Sequence, residues 1–348
     1  MLTNKKILLA TSNLGLTFPI IRVLNRMGIR PEVLGPEKRS LLWSSGLLCK
    51  RYIGYPLDDF GYDHNPAISS FSGAFVDLLN DVHRQGGYDV VLPVDYTVML
   101  PLSVHRERLA PGIRLTPFLD EPKLRALNDK WQFSRLLLDL GIPQPQTRLL
   151  DGHQDPAAID LPFPVIVKPT NRGGGSGIRT LQTPEALAQH VRDAGLDLTR
   201  SPLLCQQWLP GRDLQVFVFA THGRLRAWSM CYMDRAGARE FVTDAHVLGH
   251  CERLVAETQY HGPGLVDVRY DPTASRIGFL EINLRFPAST FYHYLAGVNY
   301  VELALLAGLG QADAFAFAPT AARHVTRSAS EALLSKLNQL TARPHRFA

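Results

Sequence analysis

The sequence predicts an α/β protein with an α+β part, in which a parallel sheet comes first and antiparallel hairpins follow. The chain opens with a buried strand at 5–11, an apolar-periodic helix that ends at Gly28, and a second strand at 31–34. A β-α-β order of this kind favours a parallel sheet. Two later runs rich in β-branched and aromatic residues are joined by a polar turn at 271–275, which favours a hairpin. A chain of 348 residues is long enough for two or three domains.

The composition is ordinary for a soluble globular protein, with 45% hydrophobic and 20% charged residues. The formal net charge of +5 suits anionic substrates, but the basic residues are scattered along the chain. We expect no nucleic-acid partner, because the sequence contains no stripe of basic and aromatic residues that would bind one. We also expect no membrane partner, since no stretch approaches the ~18 apolar residues of a membrane span.

The cysteines and the N-terminus predict the compartment. The four cysteines form no C-x-x-C pair, so neither a zinc site nor a redox motif is indicated. Cys49, Cys205 and Cys231 lie among apolar neighbours and are predicted to be buried thiols. The apolar run after Lys6 is broken at 11–13 and is too short for a secretory signal. These observations predict a cytoplasmic protein.

The predicted parallel sheet continues after the first β-α-β unit. A helix is predicted over 70–84 and a buried strand over 90–94, followed at once by Asp95. Open α/β sheets bind ligands at the carboxyl ends of their strands, so Asp95 could contact a substrate; the alternative is that it caps a following helix. The segment 13–16 lacks the glycine fingerprint of a dinucleotide site, and 112–122 is predicted to be a linker.

A helix with an inward-facing lysine is predicted after this linker. Asp129 is a suitable N-cap, and apolar residues follow at helical spacing until Gly141. Lys130 lies on the inward stripe, where its charge opposes the helix macrodipole and favours a bound anion. The alternative is that the side chain extends to solvent.

A second lysine precedes a glycine-rich loop. Lys168 ends an apolar strand that begins at Phe163, and a further strand over 178–181 follows the loop. The loop contains Gly173, Gly174, Gly175, Ser176 and Gly177. Glycines let the backbone approach a ligand, successive N–H groups can bind an anion, and a lysine ammonium adds a point charge for phosphate. The alternative is a flexible hairpin loop without a ligand.

Two strands within 203–218 are connected at Pro210–Gly211, and a connector of this kind is a candidate slot for a purine base. Asp213 could then accept hydrogen bonds from ribose hydroxyls, while Trp208 is predicted to lie in the core. Other helices are predicted over 183–194, 300–309 and 329–340, and a loop with a helix over 234–262.

The C-terminal hairpin carries a polar face. Its strands are predicted over 264–270 and 276–286. Alternation places Glu281, Asn283 and Arg285 on one face, and Asp267 falls opposite Glu281 when the hairpin closes. Two adjacent carboxylates resist joint ionisation, and a divalent cation such as Mg²⁺, bound together with substrate phosphates, relieves this. The alternative is a solvated strand face in which Arg285 neutralises Glu281.

Together, these segments resemble the ATP-grasp superfamily over about residues 1–310. The motifs that carry the resemblance are Asn128-Asp129-Lys130, Gly141-Ile142-Pro143-Gln144-Pro145, Pro164-Val165-Ile166-Val167-Lys168-Pro169 with the glycine loop, Gln206-Gln207-Trp208-Leu209-Pro210-Gly211, Asp267, and Glu281-Ile282-Asn283-Leu284-Arg285-Phe286. The resemblance implies a Rossmann-like pre-ATP-grasp domain followed by a two-subdomain ATP-grasp fold. The implied parts are the pre-ATP-grasp domain at 1–118, an N-terminal subdomain with the phosphate-binding lysines and glycine loop at 119–203, a C-terminal subdomain with the adenine hinge and metal site at 204–312, and an extension at 313–348.

The resemblance also implies roles for the residues at matching positions. Lys130 and Lys168 would contact the phosphates of ATP, and residues 173–177 would close over them. The residues implied to hold adenine and ribose are Gln206, Gln207, the backbone of Leu209, and Asp213. The residues implied to bind Mg²⁺, with Mn²⁺ as an alternative, are Asp267, Glu281 and Asn283. Arg285 would stabilise the transferring phosphoryl group or the acyl-phosphate, so Arg285 and Lys168 are the candidate catalytic residues.

The chemistry implied by the family is attack of a carboxylate on the γ-phosphate of ATP, followed by displacement of phosphate by an amine. The run from Phe286 to Asn299 resembles the amino-acid-ligase branch, so the expected substrates are a small carboxylate and an amine, such as amino acids or small peptides. The alternatives are an ATP-grasp carboxylase or formate-dependent transferase, and a non-catalytic nucleotide-binding protein. Dimers are frequent in the family, which leaves a homodimer open.

Several positions depart from the family's pattern. Glutamines stand at 206 and 207, where a glutamate is common. Asp213 and Asp267 replace the common glutamate and are one methylene shorter, and Leu284 replaces a frequent proline. None of these changes removes a charge from the metal-binding set.

Overall fold

The protein is described from a computed structural model in which the chain forms two compact units. The described residues are 2–37, 43, 46–56, 67–171, 175, 177–195, 197–233, 238–271, 273–274, 276–320 and 323–326. Unit 1 comprises Met1–Leu124, Gln215–Leu265 and Asn283–Ala348, and unit 2 comprises Arg125–Leu214 and Val266–Ile282.

The described secondary structure alternates strands and helices in the first part of the chain and is richer in strands later. The strands are β1 (Ile7–Ala10), β2 (Glu32–Pro36), β3 (Arg51–Tyr55), β4 (Val90–Pro93), β5 (Thr147–Leu150), β6 (Val165–Pro169), β7 (Arg179–Leu181), β8 (Leu203–Gln207), β9 (Arg212–Thr221), β10 (Arg224–Met233), β11 (Arg239–Val242), β12 (Gly262–Asp271), β13 (Arg276–Asn283) and β14 (Arg323–Val325). The helices are α1 (Leu14–Arg26), α2 (Ala67–Gly86), α3 (Tyr96–Val104), α4 (Glu121–Asn128), α5 (Lys130–Asp139), α6 (Pro184–Asp193), α7 (Ala245–Glu257), α8 (Thr290–Leu295) and α9 (Tyr300–Gly308).

Unit 1 contains the parallel sheet that the sequence predicts, in the order β3-β2-β1-β4. β1 pairs in parallel with both β2 and β4, and all four residues of β1 and of β4 are buried. The β1-α1-β2 prediction is confirmed; β3 was not predicted. The N-cap of α1 is Asn13, whose side chain accepts from the Leu16 N–H at 3.2 Å, which satisfies one of the open donors of the first turn. α9 packs against β4 and α1, so the core of unit 1 joins segments from both ends of the chain.

A second sheet has the strand order β13-β12-β9-β10-β11-β14. β10 pairs antiparallel with β11, and β11 pairs antiparallel with β14. Within the segment 234–262, the predicted helix is present as α7, but the sequence missed β11. The predicted helix over 300–309 is present as α9. The helix expected over 329–340 lies outside the described residues.

Unit 2 contains an antiparallel sheet in the order β5-β8-β6-β7. The prediction of a strand on each side of the glycine loop is confirmed, because β6 and β7 pair with Val165 opposite Leu181. Val165, Val167 and Cys205 form a buried core with Leu187 of α6. α4 begins at Glu121, inside the predicted linker, so the linker is shorter than expected.

The predicted hairpin is present as β12 and β13, which are neighbours in the sheet. The four-residue connection between them requires an antiparallel pair. β13 ends at Asn283, so Arg285 lies beyond the strand that was predicted to contain it. The alternation nevertheless continues: Ile282, Leu284 and Phe286 are buried, while Glu281 is partly exposed.

The cysteine prediction is confirmed, and Cys251 is likewise a buried free thiol. Among the residues that the structure describes, no helix combines the length and apolar character needed to cross a bilayer.

Candidate functional site

Two buried lysines from different segments converge on one carboxylate. The Lys130 ammonium lies 3.5 Å from Glu281 Oε2, and the Lys168 ammonium lies 3.7 Å from the same oxygen. Lys130 is 8% exposed and Lys168 is 5% exposed, whereas the Glu281 side chain is 23% exposed. Buried cations are stable only when they are paired, so Glu281 neutralises a group that would otherwise be costly to fold.

The local structure explains why Lys130 faces inward. Asp129 caps α5, and its Oδ1 accepts from the Trp131 N–H at 3.0 Å and the Gln132 N–H at 2.9 Å, which confirms the predicted N-cap. The Lys130 N–H donates to the Thr170 carbonyl at 2.8 Å, which ties the helix start to the segment after β6. Lys130 is therefore held beside the end of the strand that carries Lys168.

Burial lowers the pKa of Lys168 below its ordinary value. The Glu281 charge acts in the opposite direction and supports the ammonium, the Lys130 charge lowers the pKa further, and the Asp267 charge raises it. Lys168 is therefore a poorly hydrated cation whose charge depends on the anions around it.

The polar residues of the hairpin continue along one face. The Arg285 Nη2 donates to Asn283 Oδ1 at 3.2 Å, and the Arg285 Nη1 donates to the Phe286 carbonyl at 3.2 Å. The carboxylate of Glu281 pairs with the two lysines, which differs from the solvated strand face considered from the sequence. Within the described ranges, no group of three or more His, Cys, Asp or Glu side chains is placed to bind a metal by itself.

The predicted base-binding residues lie at and after the end of β8. Gln206 is buried, and its Nε2 donates to Thr147 Oγ1 at 3.1 Å, while the Gln207 N–H donates to the Gln146 carbonyl at 2.8 Å. Trp208 is 41% exposed, so the prediction that it lies in the core is wrong. The reason is that β8 ends at Gln207, and the chain leaves the sheet at the next residue.

Sequence reasoning missed Arg269 of β12. Its Nε donates to the Leu209 carbonyl at 3.0 Å, and its Nη1 lies 2.6 Å from Asp213 Oδ1. Alternation along β12 places Arg269 on the same face as Asp267, and that signal was available in the sequence.

The glycine loop is described only in part. Gly175 and Gly177 both have φ near +76°, a conformation that favours glycine. Gly173, Gly174 and Ser176 lie outside the described residues, so the proposed anion nest stays a prediction.

Asp95 follows β4 but does not cap α3 through its side chain. Its Oδ2 accepts from the Ser12 N–H at 2.8 Å and from Thr11 Oγ1 at 3.0 Å, and its Oδ1 accepts from Ser12 Oγ at 2.8 Å. Asp95 is therefore the N-cap residue of α3 by position, as one alternative expected, but its carboxylate connects the carboxyl ends of β1 and β4.

Comparisons with known proteins show which families the chain is similar to. Residues 199–330, less than half of the chain, match the family described as ATP-grasp in the biosynthetic pathway with Ter operon. A D-alanine–D-alanine ligase of Halorhodospira halophila is 35% identical over 199 residues, which cover 50% of this chain and 64% of the relative. A carbamoyl phosphate synthase large chain of Clostridium beijerinckii is 25% identical over 228 residues, covering 57% of this chain. The match spans only 21% of that relative's length.

Solved structures agree at the level of the fold. The L-amino acid ligase from Bacillus licheniformis is similar with a TM-score of 0.64 and 16% identity, covering 88% of this chain and 74% of the ligase. The chain is therefore similar to an ATP-grasp family over residues 199–330 and shares the fold of this ligase. The biotin carboxylase domain of the Hydrogenobacter thermophilus 2-oxoglutarate carboxylase, solved with MgADP, ADP and bicarbonate, is similar to this chain with a TM-score of 0.66 and 16% identity. That similarity covers 88% of this chain and 70% of the carboxylase domain.

Proposed function

We propose that the protein is an ATP-dependent ligase that joins a carboxylate to an amine through an acyl-phosphate. The observation that carries this proposal is the convergence of Lys130 and Lys168 on one oxygen of Glu281. The family supplies the reaction class, since the related proteins and solved structures include ligases of amino acids. The substrates are proposed to be amino acids or small peptides.

ATP and Mg²⁺ fit this set of residues. Lys130 and Lys168 place two buried ammonium groups beside Glu281, and phosphate oxygens would be further anionic partners for them. Asp267, Glu281 and Asn283 offer hard oxygen ligands, and Mg²⁺ is usually bound by one or two carboxylates together with substrate phosphates.

We infer that the ammonium groups of Lys130 and Lys168 would hold phosphate oxygens, and that Glu281 would be one of the ligands of the metal. Phosphate oxygens would then be anionic partners of the two buried lysines, which matters because an unpaired buried cation is strongly destabilising. Bound Mg²⁺ would supply charge neutralisation to the transferring phosphoryl group.

The proposed reaction has two steps. A substrate carboxylate oxygen attacks the γ-phosphorus, the bond between the γ-phosphorus and the bridging oxygen breaks, and ADP leaves. The amine nitrogen then attacks the acyl carbon, the carbon–oxygen bond breaks, and phosphate leaves while the amine loses its proton to water. Lys168 and Arg285 would hold the phosphoryl oxygens during these steps, because phosphoryl transfer depends mainly on positioning and charge stabilisation.

A carboxylase is the second candidate function. The similarity to a biotin carboxylase domain solved with bicarbonate favours it, and the same lysine–glutamate cluster would serve there. The two candidates differ in the group that accepts the phosphoryl: an organic carboxylate in the ligase, and bicarbonate in the carboxylase.

ADP and phosphate release measured with pairs of amino acids, with bicarbonate and with formate tests the proposal. We expect release that requires both a carboxylate and an amine, and a condensed product by mass spectrometry. Asp267→Asn should reduce turnover at least 100-fold, whereas Glu252→Gln on the exposed surface of α7 should leave it unchanged. Release that depends on bicarbonate alone would indicate the carboxylase, and binding of ATP without release in any mixture would indicate a non-catalytic protein.

We also propose a domain organisation, a cellular compartment and an oligomeric state. The parallel order β3-β2-β1-β4 supports a Rossmann-like pre-ATP-grasp domain within 1–118. Four free, buried thiols support a reducing compartment such as the cytoplasm. The subdomain limits at 203 and 312, and a homodimer, rest on the family resemblance.

A further inference from the structure

Arg269 connects the candidate base-binding segment to the strand that carries Asp267. Its Nε donates to the Leu209 carbonyl at 3.0 Å and its Nη1 lies 2.6 Å from Asp213 Oδ1, so one guanidinium holds both ends of the segment 209–213. The Arg269 side chain is 23% exposed and that of Asp213 is 70% exposed. Exposed ion pairs contribute little to stability, so the effect of this pair on folding is small.

Two further contacts hold the same segment against the hairpin. A Cβ added at Gly278 would lie 2.3 Å from the Leu209 Cδ1, so the absence of a side chain on β13 makes room for Leu209. Gly211 has φ of +108°, and a Cβ there would lie 2.4 Å from the Tyr270 carbonyl oxygen. The segment 209–213 is therefore fixed to β12 and β13 in three ways. The Arg269 guanidinium contacts both of its ends, Leu209 packs against Gly278, and the backbone of Gly211 lies close to the Tyr270 carbonyl.

We propose that Arg269 is a positioning residue that fixes the backbone at Leu209 and the Asp213 carboxylate for the base and ribose of the nucleotide. This role rests on the proposed ATP site. The Arg269 Nε holds the Leu209 carbonyl, so the backbone at Leu209 keeps one orientation. Backbone donors and acceptors held in fixed directions favour adenine over guanine, because the two bases exchange donor and acceptor at positions 1 and 6.

The ion pair with Asp213 fixes the second carboxylate oxygen in the same way. Asp213 Oδ1 faces Arg269, which sets the direction of Oδ2, the oxygen we assign to a ribose hydroxyl. Arg269 is thus predicted to act on nucleoside recognition alone. Phosphate recognition belongs to Lys130 and Lys168, and it should not depend on Arg269.

The test compares ligands that contain or lack the nucleoside. ATP, GTP and inorganic tripolyphosphate are titrated by calorimetry with Mg²⁺ into the wild-type chain, Arg269→Met and Arg269→Lys. The matched control is Arg276→Met, which removes an exposed arginine of the same hairpin whose Nη2 lies 3.9 Å from Asp271. Urea unfolding of each variant reports whether the fold is retained.

For Arg269→Met we expect about tenfold weaker ATP binding, since a hydrogen bond to a charged group is lost, with tripolyphosphate binding unchanged. The preference for ATP over GTP should fall by a similar factor, and Arg269→Lys should restore only part of it because an ammonium lacks the planar fork that presents donors in fixed directions. Arg276→Met should match the wild type.

An equal loss of ATP and tripolyphosphate binding in Arg269→Met would overturn the proposal, because the role would then be structural. Unchanged ATP affinity and unchanged preference over GTP would overturn it too. A wild-type chain that binds tripolyphosphate but shows no preference for ATP would refute the role of Arg269 and leave the phosphate site intact. A wild-type chain that binds neither ligand would refute the proposed function itself.

Discussion

Replacing Glu281 with glutamine should destabilise the protein strongly, because Glu281 is the shared partner of two buried lysines. At an effective dielectric constant of about 20, the separations of 3.5 and 3.7 Å each correspond to roughly 5 kcal/mol of attraction. Much of that attraction offsets the desolvation of the three charges, so the net effect is smaller. Loss of one partner of a buried pair typically costs about 3–5 kcal/mol, and we expect a loss in unfolding free energy of that size at pH 7.

The loss of stability that Glu281→Gln causes through Lys168 cannot exceed the free energy of deprotonating Lys168, because a neutral amine needs no anionic partner. The ordinary lysine pKa is 10.5, so releasing the proton at pH 7 costs about 5 kcal/mol and at pH 9 about 2 kcal/mol. When burial lowers the folded-state pKa, the unfolded chain binds more protons below pH 10.5, and stability rises with pH through that window. The part of the loss in unfolding free energy that comes from Lys168 should therefore fall to no more than about 2 kcal/mol at pH 9, and the total loss in Glu281→Gln should be smaller at pH 9 than at pH 7.

Urea unfolding followed by tryptophan fluorescence and circular dichroism at both pH values measures this deficit. Glu252→Gln on the surface of α7 is the control, and its unfolding free energy should stay within about 0.5 kcal/mol of the wild type. Tripolyphosphate without Mg²⁺ should stabilise Glu281→Gln more than the wild type, since the carboxylate no longer competes for the lysines. A deficit below about 1 kcal/mol at pH 7, or an equal deficit at both pH values, would refute the ion-pair reasoning.

Two further predictions concern backbone geometry and a buried histidine. Gly211→Ala should lower the unfolding free energy by about 1–3 kcal/mol in urea, because its φ of +108° and the close Tyr270 carbonyl leave no room for a methyl group. Burial lowers the pKa of His293 to about 3, so its contribution to stability decreases as pH falls below the unfolded value of 6.5. Between pH 7 and pH 5, the wild type should lose about 2 kcal/mol more unfolding free energy than His293→Gln.

Matched variants test these two predictions. Gly195→Ala is the control for Gly211, because Gly195 also has a positive φ, of +56°, but has open space around it; equal losses in the two variants would mean that the Tyr270 contact is unimportant. His153→Gln on the surface is the control for His293 and should follow the wild type. Parallel pH profiles for the wild type and His293→Gln would contradict the assigned effect of burial.

The parts of the fold that the sequence predicted are those with a local signal. Alternation of apolar residues along 281–286 identified the buried side of the hairpin, and Asp129 identified the start of α5 through its capping position. The pairing of β6 with β7 followed from the glycines between them. β3 and β11 were missed because each is a short strand whose place depends on a neighbour far away in the sequence.

Residues of the candidate site were predictable from the sequence where a charged side chain occupies a position that is unfavourable for it in the predicted secondary structure. Lys130 was recognisable because a lysine on the apolar stripe of a helix start is unfavourable without an anion. The partner of Arg269 was not recognisable, since Asp213 lies 56 residues earlier and joins it only through the fold. Trp208 was misplaced for a related reason: its hydrophobicity favours the core, but the end of β8 decides its exposure.

The lysine–glutamate cluster is difficult to explain by stability alone. Well-packed apolar residues in place of a buried ion pair are often neutral or stabilising, so burial of Lys130 and Lys168 beside the partly exposed Glu281 gives folding no evident advantage. Lys130 adds a second penalty, because its charge opposes the dipole of α5 at the N-terminus. Both penalties would be offset by a polyphosphate and a metal ion that separate the carboxylate from the two ammonium groups. The features that are least favourable for the fold are therefore the ones that the proposed nucleotide site requires.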